Sequence, residues 1–180
     1  MPASDLAVYD LQGQVYSYVE VSILIGLLLG SCTVDSIVTG CSCGQGMMLA
    51  CNSVPGVLCG MIKDQKDAEL FVSINRGNAV SIPLKEGYGW NGEDNLMEIT
   101  GALFSLPIEN RIPFQDAQRK LADTQKMKEI RSFSQCDLTV FLNLLDESMI
   151  TKIISASQVM DAIVKDGRKD QIVKWVKDHA

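Results

Sequence analysis

The stretch VTGCSCGQGMMLAC, residues 38–51, gathers three cysteines and three glycines into fourteen positions, and Cys59 follows close behind. Thiols and glycines at this density suit three chemistries: metal ligation, nucleophilic or redox sulfur, and a backbone cradle for phosphate. Cys41, Cys43, Cys51 and Cys59 are the candidate metal set, since four thiolates can hold zinc or an iron–sulfur centre. Their spacing argues against it. One, seven and seven residues separate them, whereas a zinc knuckle places two residues between paired cysteines so that a turn aims both sulfurs inward. If residues 37–43 form a strand, Cys41 and Cys43 share a face, but their sulfurs stand too far apart for tetrahedral ligation unless the chain turns.

A nucleophilic thiol needs a base, and the only histidine is His179, next to the last residue. A chain end is a poor place for a catalytic partner. The phosphate reading also lacks its signature. Neither G-x-G-x-x-G nor G-K-[ST] occurs, and the first lysine is Lys63. The six cysteines therefore read as reduced, mostly buried small hydrophobes, and Gly40, Gly44 and Gly46 as turns between strands. No cofactor is expected. A Cys-dependent metal-binding or redox protein is the alternative reading.

Tyr88 and Trp90 lie between glycines in KEGYGWNGEDN, residues 85–95, and are candidates for partner contact. Glu93, Asp94 and Asn95 lack the D-x-[DN]-x-[DN]-G pattern of a calcium loop.

The elements that would carry these residues divide the chain. From Val15 to Leu29 apolar residues favour alternate positions, which predicts a strand interrupted by Gly26 and Gly30. Residues 68–84 place two β-rich runs around Asn75–Asn78, the pattern of a hairpin, and residues 95–104 suggest a further strand. The fold class read from this is α+β. An antiparallel β-barrel or sandwich spans about residues 1–106, a connector bracketed by Pro107 and Pro113 follows (107–112), and residues 113–180 form a helical segment of three to four helices. Phe114, Ala117, Leu121 and Ile130 fall near one face of a helix ending about Arg131. Ser134 with Asp137 resembles a capping arrangement for the next, whose face carries Leu138, Phe141, Leu142 and Leu145. Ser157 is a possible helix start and Gly167 a helix stop.

Charge sorts with these parts. Residues 1–62 contain four acids and no Lys or Arg, whereas residues 111–180 hold twelve of the sixteen bases. A net charge of −6 argues against broad nucleic-acid wrapping, which needs cations to displace phosphate counterions. The apolar run VSILIGLLLG, residues 21–30, is about half of the ~20 residues a membrane helix needs. LGSC, residues 29–32, resembles a lipoprotein cleavage box at Cys32, but the basic region that precedes such a box is missing. No secretion signal is evident.

These observations point to a non-enzymatic structural or assembly subunit, with a virion or phage particle among the candidate settings. It would be cytoplasmic or assembled in a particle. Its partners would be proteins, above all further copies of itself joined through the sheet of residues 15–30, with Tyr88, Trp90, Leu138, Phe141, Leu142 and Leu145 as contact residues.

Overall fold

The computed structural model describes residues 14–104 and 117–180. Its first element is a helix, α1 (Tyr18–Gly30), where a strand was expected. Ser17 caps it: its hydroxyl accepts the Glu20 N–H, and the Glu20 carboxylate accepts the Ser17 N–H at 2.6 Å. From Ser22 through Leu28 every residue is buried. The strand-like alternation extends only to Ser22; beyond it both parities are apolar, and a uniformly apolar run carries no period. A helix that is apolar all round is a core element. Gly26 and Gly30 are close-packing positions rather than strand bulges, since a methyl group there would collide with the side chains of Val54 and Leu138 respectively.

Three short strands follow, β1 (Ile37–Cys41), β2 (Cys59–Met61) and β3 (Ala79–Pro83), in the order β1-β3-β2 with both pairings parallel. Helix α2 (Gln45–Ser53) joins β1 to β2. Helix α3 (Gln65–Leu70), continued by a wide π turn over Phe71–Asn75, joins β2 to β3. All five residues of β3 are buried. Ala79 packs into one apolar cluster while Val80 and Ile82 pack into another, so the sheet is covered on both faces, as parallel sheets are. This overturns the antiparallel barrel or sandwich.

The expected hairpin fails for a local reason. Asp64 caps α3 by accepting the Asp67 N–H at 2.8 Å, and the first β-rich run becomes helical. The turn lies where the sequence placed it, with Arg76 at φ 48°, but it ends a helix: the Arg76 N–H donates to the Phe71 carbonyl at 2.8 Å. The strand expected at 95–104 is α4 (Gly92–Phe104), whose Leu96, Ile99 and Leu103 recur at helical spacing against the β3 face.

The C-terminal part is helical, but where three to four helices were expected the described residues hold five: α5 (Ala117–Ser134), α6 (Leu138–Asn143), α7 (Glu147–Ile154), α8 (Ser157–Asp166) and α9 (Asp170–His179). Asp137 alone caps α6, accepting the Thr139 N–H at 2.8 Å. The Pro107–Pro113 connector and Phe114 lie outside the described residues. Ile23 and Leu27 of α1, Cys51 of α2, and Leu142, Ile153, Ile163 and Val176 of the C-terminal helices share one core. The molecule is mostly helical around a small parallel sheet, not β-rich.

Candidate active site

In an open parallel sheet, ligands bind beyond the carboxyl ends of the strands, where loops are exposed and helices begin. Here the carboxyl end of β1 is Cys41. Ser42 and Cys43 follow, and Gly44 turns the chain into α2 at φ 78°. Only glycine suits that turn: a side chain would carry left-handed backbone strain, and its Cβ would stand 3.2 Å from the Pro83 nitrogen.

Hydrogen bonds clamp this turn to its neighbours. The Cys41 carbonyl accepts from Leu84 N–H at 3.0 Å, the Ser42 carbonyl from Lys85 N–H at 3.2 Å, and the Gly44 carbonyl from the Ser81 hydroxyl at 2.7 Å. The β1–α2 turn and the β3–α4 loop are thereby held side by side.

The Cys43 thiol is shifted below its ordinary pKa. The backbone N–H of Gln45 contributes most and that of Gly46 next; partial burial opposes them, and the Cys41 thiol adds a further hydrogen bond. These are free N–H groups of the first turn of α2, at the positive end of its dipole, so they favour a thiolate. The only histidine, His179, stacks on Trp175 at the end of α9, and backbone N–H groups favour the thiolate instead. Gly46 lies beside the thiols: a methyl group there would be 3.8 Å from the Tyr18 ring and 3.9 Å from the Cys41 sulfur.

Two polar groups neighbour these elements, one ahead of α1 and one on the β3–α4 loop bonded to the thiol turn. Just before α1, the Tyr16 hydroxyl donates to Gln14 Oε1 at 2.9 Å and meets the Ser155 hydroxyl at 3.0 Å, and Ser155 donates to the same Gln14 oxygen at 3.1 Å. Lys152 lies over the Tyr16 ring, 4.4 Å from its centroid. On the β3–α4 loop, Lys85 sits 5.2 Å from the centroid of the exposed Tyr88 ring, and Tyr88 and Trp90 both turn back onto the Lys85 carbonyl. Gly87 and Gly89 supply the positive φ angles of that loop.

The structure distributes the sequence candidates as follows. Cys41 and Cys43 meet at the carboxyl edge, and Tyr88 and Trp90 lie on the adjoining loop. Cys51 and Cys59 form a separate buried pair in which hydrogen bonding to Cys51, together with burial, raises the Cys59 pKa strongly. Among the described residues no three His, Cys, Asp or Glu side chains come together to hold a metal ion. Leu138 and Leu142 are buried in the core, with Phe141 and Leu145 packed against it. Sequence reasoning missed Gln14, Tyr16, Tyr18, Lys85, Lys152 and Ser155. The signal that could have found the thiol site was C-x-C-G-x-G read as a strand-to-helix turn, which required recognising parallel α/β order.

Comparison with solved structures places this architecture in the Rossmann-like, flavodoxin-type α/β class of sugar isomerases. A 4-deoxy-L-threo-5-hexosulose-uronate ketol-isomerase, solved with a tartrate, superposes with a TM-score of 0.87 at 32% identity, over 94% of this chain and 82% of that one. Ribose-5-phosphate isomerase LacAB_rpiB from Vibrio parahaemolyticus gives 0.81 at 29% identity, over 94% and 80%. The Clostridium thermocellum ribose-5-phosphate isomerase B shares the fold, with a TM-score of 0.55 at 19% identity over 68% and 75%. Residues 3–112 match the LacAB_rpiB family, Ribose/Galactose Isomerase, and the chain belongs to that family. No curated protein matches it in sequence.

Family membership overturns the reading as a non-enzymatic structural or virion subunit and points to an enzyme. Self-association through a sheet of residues 15–30 falls with the strand itself, because that segment is the buried α1. Among the described residues, no helix is long and apolar enough to cross a membrane.

Proposed function

We propose that the chain is a ketol-isomerase that interconverts an aldose and a ketose by proton transfer between neighbouring carbons, with the Cys41–Cys43 pair as the proton-transfer group. The observation that carries this reading is the Cys43 thiol, which accepts hydrogen bonds from the N-terminal N–H groups of α2 and from Cys41, on the edge of the sheet where this fold class binds ligands. A base must remove the proton from the carbon beside the carbonyl, and the enediolate oxygen must then be stabilised. The pair does both in turn. When it takes the proton it loses its charge, and the N–H groups of Gln45 and Gly46 are released to face the charge now on the enediolate. Returning the proton to the adjacent carbon, while the hydroxyl proton passes from one enediolate oxygen to the other, completes the isomerisation and restores the thiolate.

The substrate carries an acidic group, as the uronate and phosphate sugars of the two similar isomerases do by name. Lys85, whose backbone is bonded to Ser42 and whose ammonium lies against the Tyr88 ring, is the cation suited to receive it. Incubating the purified chain with 4-deoxy-L-threo-5-hexosulose-uronate and with ribose 5-phosphate tests the reading. Turnover of at least one, abolished by Cys43→Ser together with Cys41→Ser, is expected; a double variant as active as the wild type rules out the thiol role.

The same reading makes a second copy of the chain the expected protein partner. Ile130 and Phe133, exposed along α5, supply apolar contact surface. Sedimentation that gives a monomer throughout the micromolar range contradicts this.

A further inference from the structure

The opposite edge of the sheet carries a second constellation. Leu58 and Asn78 immediately precede β2 and β3, so they mark the amino edge, away from Cys41 and Cys43. Between this edge and α5 lies a cleft of about 360 Å³ walled by Arg76, Lys128 and Arg131, with Asn78 and Ser132 beside them. Among the described residues no carboxylate lines it.

Its cations are held in place without being neutralised. Lys128 Nζ donates to the Arg76 carbonyl at 2.6 Å, and Arg131 donates to the Val57 carbonyl at 2.6 Å. Elsewhere on α5, two cations outside the cleft have carboxylate partners: Arg119 pairs with Asp123 at 3.0 Å and Lys126 with Glu129 at 2.6 Å. Inside the cleft the acceptors are carbonyls, which fix position but leave formal charge uncompensated. The Arg76 guanidinium has no hydrogen-bond or ion-pair partner among the described residues.

The backbone beneath is also built for this arrangement. Arg76 adopts φ 48°, ψ 46°, a conformation that costs a non-glycine residue strain and holds it at the cleft mouth. The Asn78 side chain accepts from Leu58 N–H at 2.8 Å and donates to the Gly56 carbonyl at 2.9 Å, which staples the floor. Burial and the neighbouring Arg76 charge both push the Lys128 pKa down, so the site gains from a negative guest. All of this occurs in a chain of net charge −6.

We propose that this cleft is an anion site, separate from the thiol site, that binds a compact multivalent oxyanion of the phosphate or polycarboxylate kind. Its size suits a small metabolite, and its fixed cations suit charge-assisted hydrogen bonds to several oxygens at once.

Titration calorimetry on the full chain, with inorganic phosphate in one arm and citrate in the other at matched ionic strength, tests this. The expected result is saturable binding of at least one anion, weakened about tenfold or more by Lys128→Met and by Arg76→Gly, which also relieves the backbone strain. Ser132→Glu, an exposed substitution that places a carboxylate on the wall, abolishes binding even if the other variants fold poorly. The alkylation rate of Cys43 stays unchanged when the anion is bound. The tighter arm tells phosphate from carboxylate. Absence of saturable binding in both arms, equal affinity in wild type and Ser132→Glu, or competition between the anion and Cys43 alkylation overturns the proposal.

Discussion

Three glycines separate backbone strain, steric conflict and chemistry. Gly44 and Gly56 have nearly the same φ, 78° and 80°, but a Cβ at Gly56 meets nothing within 4 Å, whereas one at Gly44 lies 3.2 and 3.3 Å from the backbone of Pro83 and Ile82. Gly56→Ala therefore isolates the left-handed strain, about 1–2 kcal/mol. Gly44→Ala adds a conflict with strand backbone, which yields less readily than a side chain, for a total of about 2–4 kcal/mol. Gly46 lies inside α2, without a positive φ and with only ordinary contacts near its would-be Cβ. Gly46→Ala should thus be neutral or gain up to about 0.5–1 kcal/mol of helix stability. Its methyl group, however, would lie 3.8 Å from the Tyr18 ring and 3.9 Å from the Cys41 sulfur, beside the proposed proton-transfer group. We expect kcat/KM for the isomerase reaction to fall at least about tenfold, a barrier increase of about 1.4 kcal/mol. Urea unfolding midpoints and initial rates on the three variants give the comparison. Equal destabilisation by Gly44→Ala and Gly56→Ala, or full activity in Gly46→Ala, would refute the reasoning.

Cys43 should react with iodoacetamide at a pH where an ordinary thiol is protonated, as measured by mass spectrometry across a pH series. Because its folded pKa is lowered, its contribution to stability is present above the ordinary thiol pKa and is lost as pH falls through the folded value. Leu142→Ala should cost about 2–5 kcal/mol by denaturant unfolding, since the side chain is fully buried between the C-terminal helices and α1. Asp137→Ala should cost about 0.5–1 kcal/mol, the range for an exposed N-cap. The Asp137 carboxyl is held low first by the Thr139 hydroxyl, so that contribution should be present above the usual carboxylate pKa and vanish as pH falls through the folded one.

The C-terminal half was the more legible part because α7, α8 and α9 are amphipathic and Asp137 and Asp146 cap α6 and α7. Leu138 and Leu142 stand at helical spacing after Asp137, and Gly167 ends α8. The N-terminal half misled for one physical reason. Central elements of a parallel α/β domain are apolar on all sides, so periodicity does not distinguish a buried helix such as α1 from a strand. Misreading α1 then disguised the topology, and with it the meaning of C-S-C-G-Q-G. The cysteine spacing correctly disfavoured a tetrahedral knuckle. Requiring a histidine for a reactive thiol overlooked the N–H groups of α2, which no sequence motif announces until the strand-to-helix turn is known. Gln14, Tyr16 and Ser155 were beyond reach for a different reason: they meet across some 140 positions of sequence.

The central claim is that the Cys41–Cys43 pair removes and returns a substrate proton. The most direct test is nuclear magnetic resonance of the isomerisation in deuterated water, following the carbons on either side of the transferred proton. The account predicts solvent deuterium in the product formed by the wild-type chain, and loss of both exchange and turnover in the folded Cys41→Ser, Cys43→Ser double variant. Exchange and turnover at the wild-type rate in that variant would contradict it.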